Sequence, residues 1–308
     1  MKLLLVHLVR RHNGPAPLQR FLESYTAHAP GVDHELLLAL KGFDTPADAA
    51  PSLAAARSRG LDPGHIHLPD DGMDLTAYAR VVSAVPAGRY CFTNSYSQPI
   101  ADGWLGHLSA ALDQPGVALA GATGSWASHQ DFRRYQLGLR SGYDDVFEGR
   151  ERARLGFLTL ARQRNPAKRD NGRLAFKAIA ALDLARDRNA FDHFPAPHLR
   201  TNAFIASREL MVALGVPRIR RKRDAYRLES GPASFTRRVE ESGRRAVVVG
   251  RDGSLYDSRR WDESQTFWQG LQENLLVADN QTDDYANAGP DVRRLLCQFA
   301  WGSTGQPG

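Results

Sequence analysis

The chain has 308 residues, 42% of them hydrophobic and 24% charged, with a formal net charge of +6 at pH 7. This is the composition of a globular protein able to bury a core, which excludes a disordered or fibrous chain. No run of about 18 apolar residues occurs, so no membrane-spanning helix is expected, and two cysteines, Cys91 and Cys297, are too few for a disulfide framework or a cysteine-built metal site.

The start, Lys2–Val9, is a continuous apolar run broken by His7 and followed by Arg10 and Arg11, too short for a signal peptide. It reads as a buried first strand of a cytoplasmic protein, and Asn13-Gly14-Pro15 as the turn after it. Leu18–Ala29 carries apolar residues at 18, 21, 22 and 25, one face of a helix. Strands follow at Glu35–Leu40, His65–Leu68, Arg89–Phe92 and Val117–Ala122. The helices between them fall at Ala47–Arg59, Asp74–Val85 with Asp74 as its N-cap, and Trp104–Leu112. Buried strands alternating with amphipathic helices imply a mostly parallel sheet covered on both faces, and ligands in such sheets bind beyond the carboxyl ends of the strands. The loops to watch are therefore 10–17, 41–46, 69–74 and 93–103.

The middle of the chain changes character. Helices are expected at Ala153–Arg162 and Leu174–Arg186, around a polar surface loop at Asn165–Gly172. Beyond it come a strand at Asn202–Ala206, a helix at Arg208–Leu214, a basic run at Arg218–Arg227, a helix at Pro232–Ser242 and a strand at Ala246–Val249. An aromatic-rich helix is expected over Trp261–Leu276, and residues after Trp301 read as disordered. No internal repeat or linker divides the chain. The expected division is one α/β domain over 1–255, a helical extension packed on it over 256–301, and a tail at 302–308.

Charge alone does not name a ligand. Lysine stands only at positions 2, 41, 168, 177 and 222, so the positive charge is arginine, which suits phosphate; a GC-rich genome gives the same bias. The basic run reads either as a solvated loop or as a flexible one that folds over a diphosphate with Arg221 and Arg223. Tyr226 is its one base-stacking residue, so nucleic acid is not the expected partner. His193 and His198, with no carboxylate at ligand spacing, read as structural. Trp261, Phe267 and Trp268 read as core before sugar platform. The sequence contains no GxGxxG after the first strand, no GxxxxGK[ST], no HExxH and no GxSxG. Gly121-Ala122-Thr123-Gly124 reads as a strand ending with close backbone approach.

The most informative stretch is Phe92 to Leu105: a strand, then Thr93-Asn94-Ser95-Tyr96-Ser97-Gln98-Pro99, then a helix opening at Gly103-Trp104-Leu105. With Gly116-Val117-Ala118-Leu119-Ala120-Gly121 after it, this resembles the central segment of family 2 glycosyltransferases, which have the GT-A fold. Asp70 to Tyr78 is similar to a segment of the rhamnan-synthesis-type members, and Thr201 to Leu210 to the strand and helix that bring in the acceptor. The resemblance runs over about residues 2–250. It implies a Rossmann-like α/β fold with a mostly parallel sheet flanked by helices and a helical C-terminal extension. The implied activity is a bacterial hexosyltransferase of polysaccharide biosynthesis, inverting, using a nucleotide-diphosphate sugar donor and a glycan or small hydroxyl acceptor.

The same resemblance places the site residue by residue. Asp71 and Asp74 fall where base or ribose would be held, and Asn94 and Tyr96 at the diphosphate. Glu229 becomes the candidate general base, though Ser230 stands where the second acid of the family's pair is usual. Asp257 lies near a third metal-binding position, and the implied cofactor is Mg or Mn. Tyr96 occupies the place of the family's metal-binding Asp. Other carboxylates then hold the metal, or arginines replace its charge, or activity is lost. The last case gives the rival reading, an impaired GT-A domain that binds nucleotide or glycan as a regulatory or scaffold partner. A sugar-phosphate nucleotidyltransferase is disfavoured, because Arg10-Arg11-His12-Asn13-Gly14 only faintly echoes its first loop. For Glu229 the competing reading is an acidic residue at a helix start.

Overall fold

A computed structural model describes residues 2–147, 182, 191–216, 219 and 222–302. The helices expected at Ala153–Arg162 and Leu174–Arg186, Arg221, and the tail after Gly302 lie outside these residues.

The apolar runs become strands. In chain order they are β1 Leu3–Arg10, β2 Glu35–Lys41, β3 Gly64–Leu68, β4 Arg89–Thr93, β5 Gln98–Pro99, β6 Val117–Gly121, β7 Gly124–Ser125, β8 His198–Leu199, β9 Ala203–Ser207, β10 Arg245–Val249, β11 Leu255–Asp257 and β12 Val277–Ala278. Eight of them form one sheet in the order β11-β10-β6-β9-β4-β1-β2-β3, while β5 pairs with β12 and β7 with β8. Within the main sheet β3-β2-β1-β4 are mutually parallel, as are β6 and β10; β9 runs antiparallel to both β4 and β6. The helices are α1 Ala16–Ala27, α2 Pro46–Arg57, α3 Asp74–Ala84, α4 Trp104–Ala111, α5 His129–Leu137, α6 Arg208–Leu214, α7 Lys222–Ser230, α8 Phe235–Glu241, α9 Asn280–Ala286 and α10 Pro290–Trp301. Among the described residues no helix is long and apolar enough to cross a membrane.

Alternation along β1 builds two cores, because successive side chains point to opposite faces. Leu4, Val6 and Leu8 pack with Tyr78 and Val81 of α3, and with α6, α8 and α10; Leu3, Leu5 and Val9 pack with Phe21 and Leu22 of α1 and with Trp104 and Leu108 of α4. A strand apolar on both faces needs helices on both, and it has them. The mostly parallel, helix-flanked sheet with a helical C-terminal part is therefore the architecture expected.

Three local expectations change. Asp74 is the first residue of α3 rather than its cap; Met73 holds that position, with no side-chain capping bond. Half of the basic run, expected as a loop, is the helix α7. Trp261–Leu276 is not a helix: a 3-10 turn at Ser258–Glu263 gives way to loop with positive φ at Gln265, Trp268 and Gln272. Its aromatic residues are buried without a helical stripe, and its backbone is satisfied by side chains, as when Gln272 Oε1 accepts from Trp268 N (3.2 Å) and Gln269 Oε1 from Thr266 N (3.3 Å). Finally, Gly124 has a packing reason: a Cβ there would lie 2.7 Å from Trp261 Cε3.

Candidate functional site

The carboxyl ends of β1, β2, β4 and β6 share one rim. Because β9 runs the other way, the residues entering it, 198–202, come to the same rim. They are stitched there by Asn94 N donating to Asn202 O (3.0 Å) and Ala122 N to Ala203 O (2.9 Å). A cavity of about 280 Å³ opens at this seam. Its lining includes Asp74, Asn94, His198, Arg200, Glu229 and Trp268.

Two charged pairs lie at the 69–74 loop and the residue that follows it. Lys41, at the end of β2, is buried; its Nζ donates to Gly72 O (2.8 Å) and lies 3.3 Å from Asp70 Oδ1, which ties the 69–74 loop to the sheet. Burial and Arg10 lower its pKa, and Asp70 opposes them. Asp74 Oδ1 is buried with no hydrogen bond, 3.6 Å from Arg10 Nη1. Burial raises the Asp74 pKa against the pull of Arg10 and Lys41. A buried carboxylate oxygen that has an ion-pair neighbour but no hydrogen bond is left with acceptor capacity.

The remaining expected residues separate. Asn94 lines the cavity, but its Oδ1 closes its own turn by accepting from Tyr96 N (2.9 Å) and Ser97 Oγ (3.1 Å). Tyr96 is half-buried and is not part of the lining. Asp71 faces another groove, bounded by Leu68, Thr76 and Ile219, where Arg80 grips its carboxylate through both oxygens and lowers its pKa. Asp257 ends the outermost strand, gripped by Arg245 (Nε to Oδ1 2.8 Å, Nη2 to Oδ2 3.1 Å), and is not part of the cavity lining. Arg221 lies outside the described residues, and Arg223 is described only as a residue of α7.

Glu229 sits in the last turn of α7, not at a helix start, where the helix dipole disfavours a carboxylate. What holds it is Thr201: its N–H and its hydroxyl both donate to Oε1, each at 3.0 Å. Oε2 makes no hydrogen bond among the described residues. One oxygen is fixed and the other is an available acceptor in the cavity wall.

The Arg200–Asp279 pair was not apparent in the sequence, and His193 and His198 were read there as structural. Arg200, 8% exposed, donates from Nη2 to Asp279 Oδ2 (2.7 Å) and from Nη1 to Thr123 Oγ1 (3.2 Å), with its guanidinium 4.0 Å over the Phe267 ring. Asp279 at the same time caps α9. His198 lines the cavity with Nδ1 2.8 Å from Ala196 O. His193, expected to lack a carboxylate partner, has one: Nδ1 lies 2.8 Å from Asp131 Oδ1, a fully buried carboxylate also bonded by Phe194 N and Gly142 N. The only forewarning was the Asp-x-x-Thr capping pattern at 279–282. Phe267 and Trp268 are buried as expected, stacked with ring centroids 4.4 Å apart, and both are among the residues lining the cavity.

A divalent cation needs several hard oxygens converging. Among the described residues no group of three or more His, Cys, Asp or Glu is so arranged. Asn94 Oδ1 is committed to its turn, Tyr96 is outside the lining and Asp257 is held by Arg245, so these residues do not fit a metal site and no chemistry is derived through one.

No protein-family model matches the chain, and no curated protein matches it. Among solved structures it is similar to a mannosyltransferase from Pyrobaculum calidifontis in complex with GDP-Man and Mn2+ (11% identity, TM-score 0.44, covering 86% of this chain). This chain spans 59% of that protein's length. It is also similar to glucosyl-3-phosphoglycerate synthase from Mycobacterium tuberculosis (15% identity, TM-score 0.33, 68% of this chain and 56% of that one). A third likeness is to a CMP:2-keto-3-deoxy-manno-octonic acid synthetase complexed with CTP (13%, 0.39, 80% and 88%). At these scores the likenesses add nothing beyond the sheet already described.

Proposed function

We propose that the protein is a glycosyltransferase that moves a sugar from a nucleotide-diphosphate donor to an acceptor hydroxyl with inversion, Glu229 serving as the general base. The carrying observation is the asymmetry of Glu229: Oε1 anchored by two Thr201 donors, Oε2 available in a cavity at the carboxyl ends of the parallel strands. In such a transfer Oε2 takes the acceptor's proton, the freed oxygen attacks the anomeric carbon, and the nucleoside diphosphate departs from the opposite face. Arg10 and Lys41 are the cations at the donor side, and Asp74 Oδ1 is an acceptor for a ribose or sugar hydroxyl. The setting that accompanies this reading is cytoplasmic assembly of a bacterial polysaccharide. Two nucleotide sugars named by similar structures' chemistry, UDP-glucose and GDP-mannose, are the first donors to try. Nucleotide release that is abolished by Glu229→Gln while calorimetric nucleotide binding persists is the expected result. Release undiminished in that variant removes Glu229 as base.

The displacement of Tyr96 and Asp257 from the cavity favours one rival, a domain that binds nucleotide or glycan without turning it over. Calorimetry with nucleoside diphosphates, with and without Mn2+, separates the two: binding without sugar release supports the rival, and absence of binding removes both.

A further inference from the structure

The residues lining the cavity keep hydrogen-bonding capacity of both signs, and several of the unspent atoms are acceptors. Arg200 gives one N–H to Asp279 and one to Thr123. Asn202 accepts from Thr123 Oγ1 (2.6 Å) and donates to Val277 O (3.4 Å), and Asn94 Oδ1 is spent in its own turn. Among the unspent atoms of the lining residues are Asp74 Oδ1, Glu229 Oε2 and His198 Nε2. None makes a hydrogen bond among the described residues, and the first two are acceptors.

His198 is an acceptor too. A carbonyl oxygen only accepts, so Nδ1, 2.8 Å from Ala196 O, carries the hydrogen, which leaves a lone pair on Nε2. The side chain is 6% exposed. Its backbone is held by pairing of Ser125 with His198, and the next residue's N–H donates to Thr236 Oγ1 (2.8 Å), so the ring sits in a fixed frame. Burial and the nearby Arg200 lower its pKa, against the opposing pull of Glu229, which keeps the ring neutral near pH 7. Unspent acceptors in the lining suit a ligand that brings hydroxyl donors.

We propose, resting on the transferase reading above, that His198 is a specificity-determining residue whose Nε2 accepts a hydrogen bond from the hydroxyl adjacent to the one that Glu229 deprotonates. The acceptor class is thereby a cyclic sugar with neighbouring free hydroxyls, not an isolated alcohol.

The test compares sugar transfer with donor hydrolysis, using UDP-glucose and GDP-mannose as donors. The acceptor probes are methyl pyranosides, their monodeoxy analogues and alkanols of similar size. His198→Asn keeps an amide N–H for Ala196 O and removes the cavity acceptor; His198→Gln places an amide oxygen near Nε2. Pyranosides should accelerate nucleotide release and alkanols should not. His198→Asn should lower the ratio of transfer to hydrolysis about tenfold and erase the preference for the parent pyranoside over one deoxy analogue, the effect of one lost hydrogen bond. His198→Gln should restore part of both. Equal service to alkanols, no acceleration by either class, or a His198→Asn enzyme that discriminates as the natural protein does would overturn the role of His198 alone. No nucleotide release from any donor would overturn the transferase reading and this assignment together.

Discussion

Thr201 holds Glu229 through one oxygen, donating to Oε1 from both its backbone N–H and its hydroxyl at 3.0 Å. This double bond fixes the carboxylate's orientation without occupying Oε2. Glu229→Gln preserves an oxygen for Thr201 and removes only basicity, so kcat should fall by about 10²–10⁴ with nucleotide affinity retained. Thr201→Val keeps the N–H and loses the hydroxyl, and its kcat should fall by a smaller factor. Steady-state nucleotide release with parallel calorimetry checks both.

The Arg200–Asp279 pair is closed off from water on nearly every side. Arg200→Met leaves a buried carboxylate with one charge unmatched, and should cost about 3–5 kcal/mol in urea unfolding. Asp279→Asn retains the capping oxygen for α9 yet strands the guanidinium, so it should also destabilise. The double variant should cost less than the sum of the two.

His7 is fully buried, stacked on Phe21 with ring centroids 3.6 Å apart, and burial depresses its pKa to about 3 from the ordinary 6.5. The unfolded chain takes up this proton near 6.5 and the folded chain only near 3. The stabilisation is therefore complete above 6.5 and is lost progressively as pH falls towards 3, at about 1.4 kcal/mol per pH unit for this group. His7→Phe preserves the stack, and the Thr93 hydroxyl keeps Val6 O as its acceptor (3.2 Å). Unfolding free energies between pH 6.5 and 4 should have a shallower slope in the variant by that amount. His198, also lowered by burial, contributes in the same direction to both proteins and cancels.

Lys41 anchors the 69–74 loop by its bond to Gly72 O and its proximity to Asp70. Lys41→Met fits the buried stem but frees the loop that carries Asp74. Nucleoside diphosphate affinity should fall about tenfold, the equivalent of roughly 1.4 kcal/mol, with the calorimetric titration as the measurement.

The sheet was legible because Leu3–Val9 and Glu35–Leu40 are apolar on both faces, a pattern stable only between two helix layers. Asn94 and Glu229 could be brought to one cavity from the order of the similar segments. Tertiary partners far apart in the chain could not. Arg200 and Asp279 are 79 residues apart, His193 and Asp131 62, and no local pattern couples either pair. Trp261–Leu276 misled because aromatic richness was read as a helix although the burial has no 3.6-residue period; side-chain amides of Gln269 and Gln272 build that loop instead. Asp257 was placed by resemblance, which carries no information about Arg245 across the strand pair.

The reversed direction of β9 has a consequence for how such a protein can diversify. Asp74 and Asn94 come from the part of the chain before residue 95, His198, Arg200 and Glu229 from the part after 197, and the two meet along backbone bonds such as Asn94 N to Asn202 O. Those bonds belong to the main chain and tolerate many side chains. The main-chain part of the seam therefore leaves the side chains beside it free to vary, while the Ser97, Thr123 and Asn202 side chains that also cross it do not share that freedom.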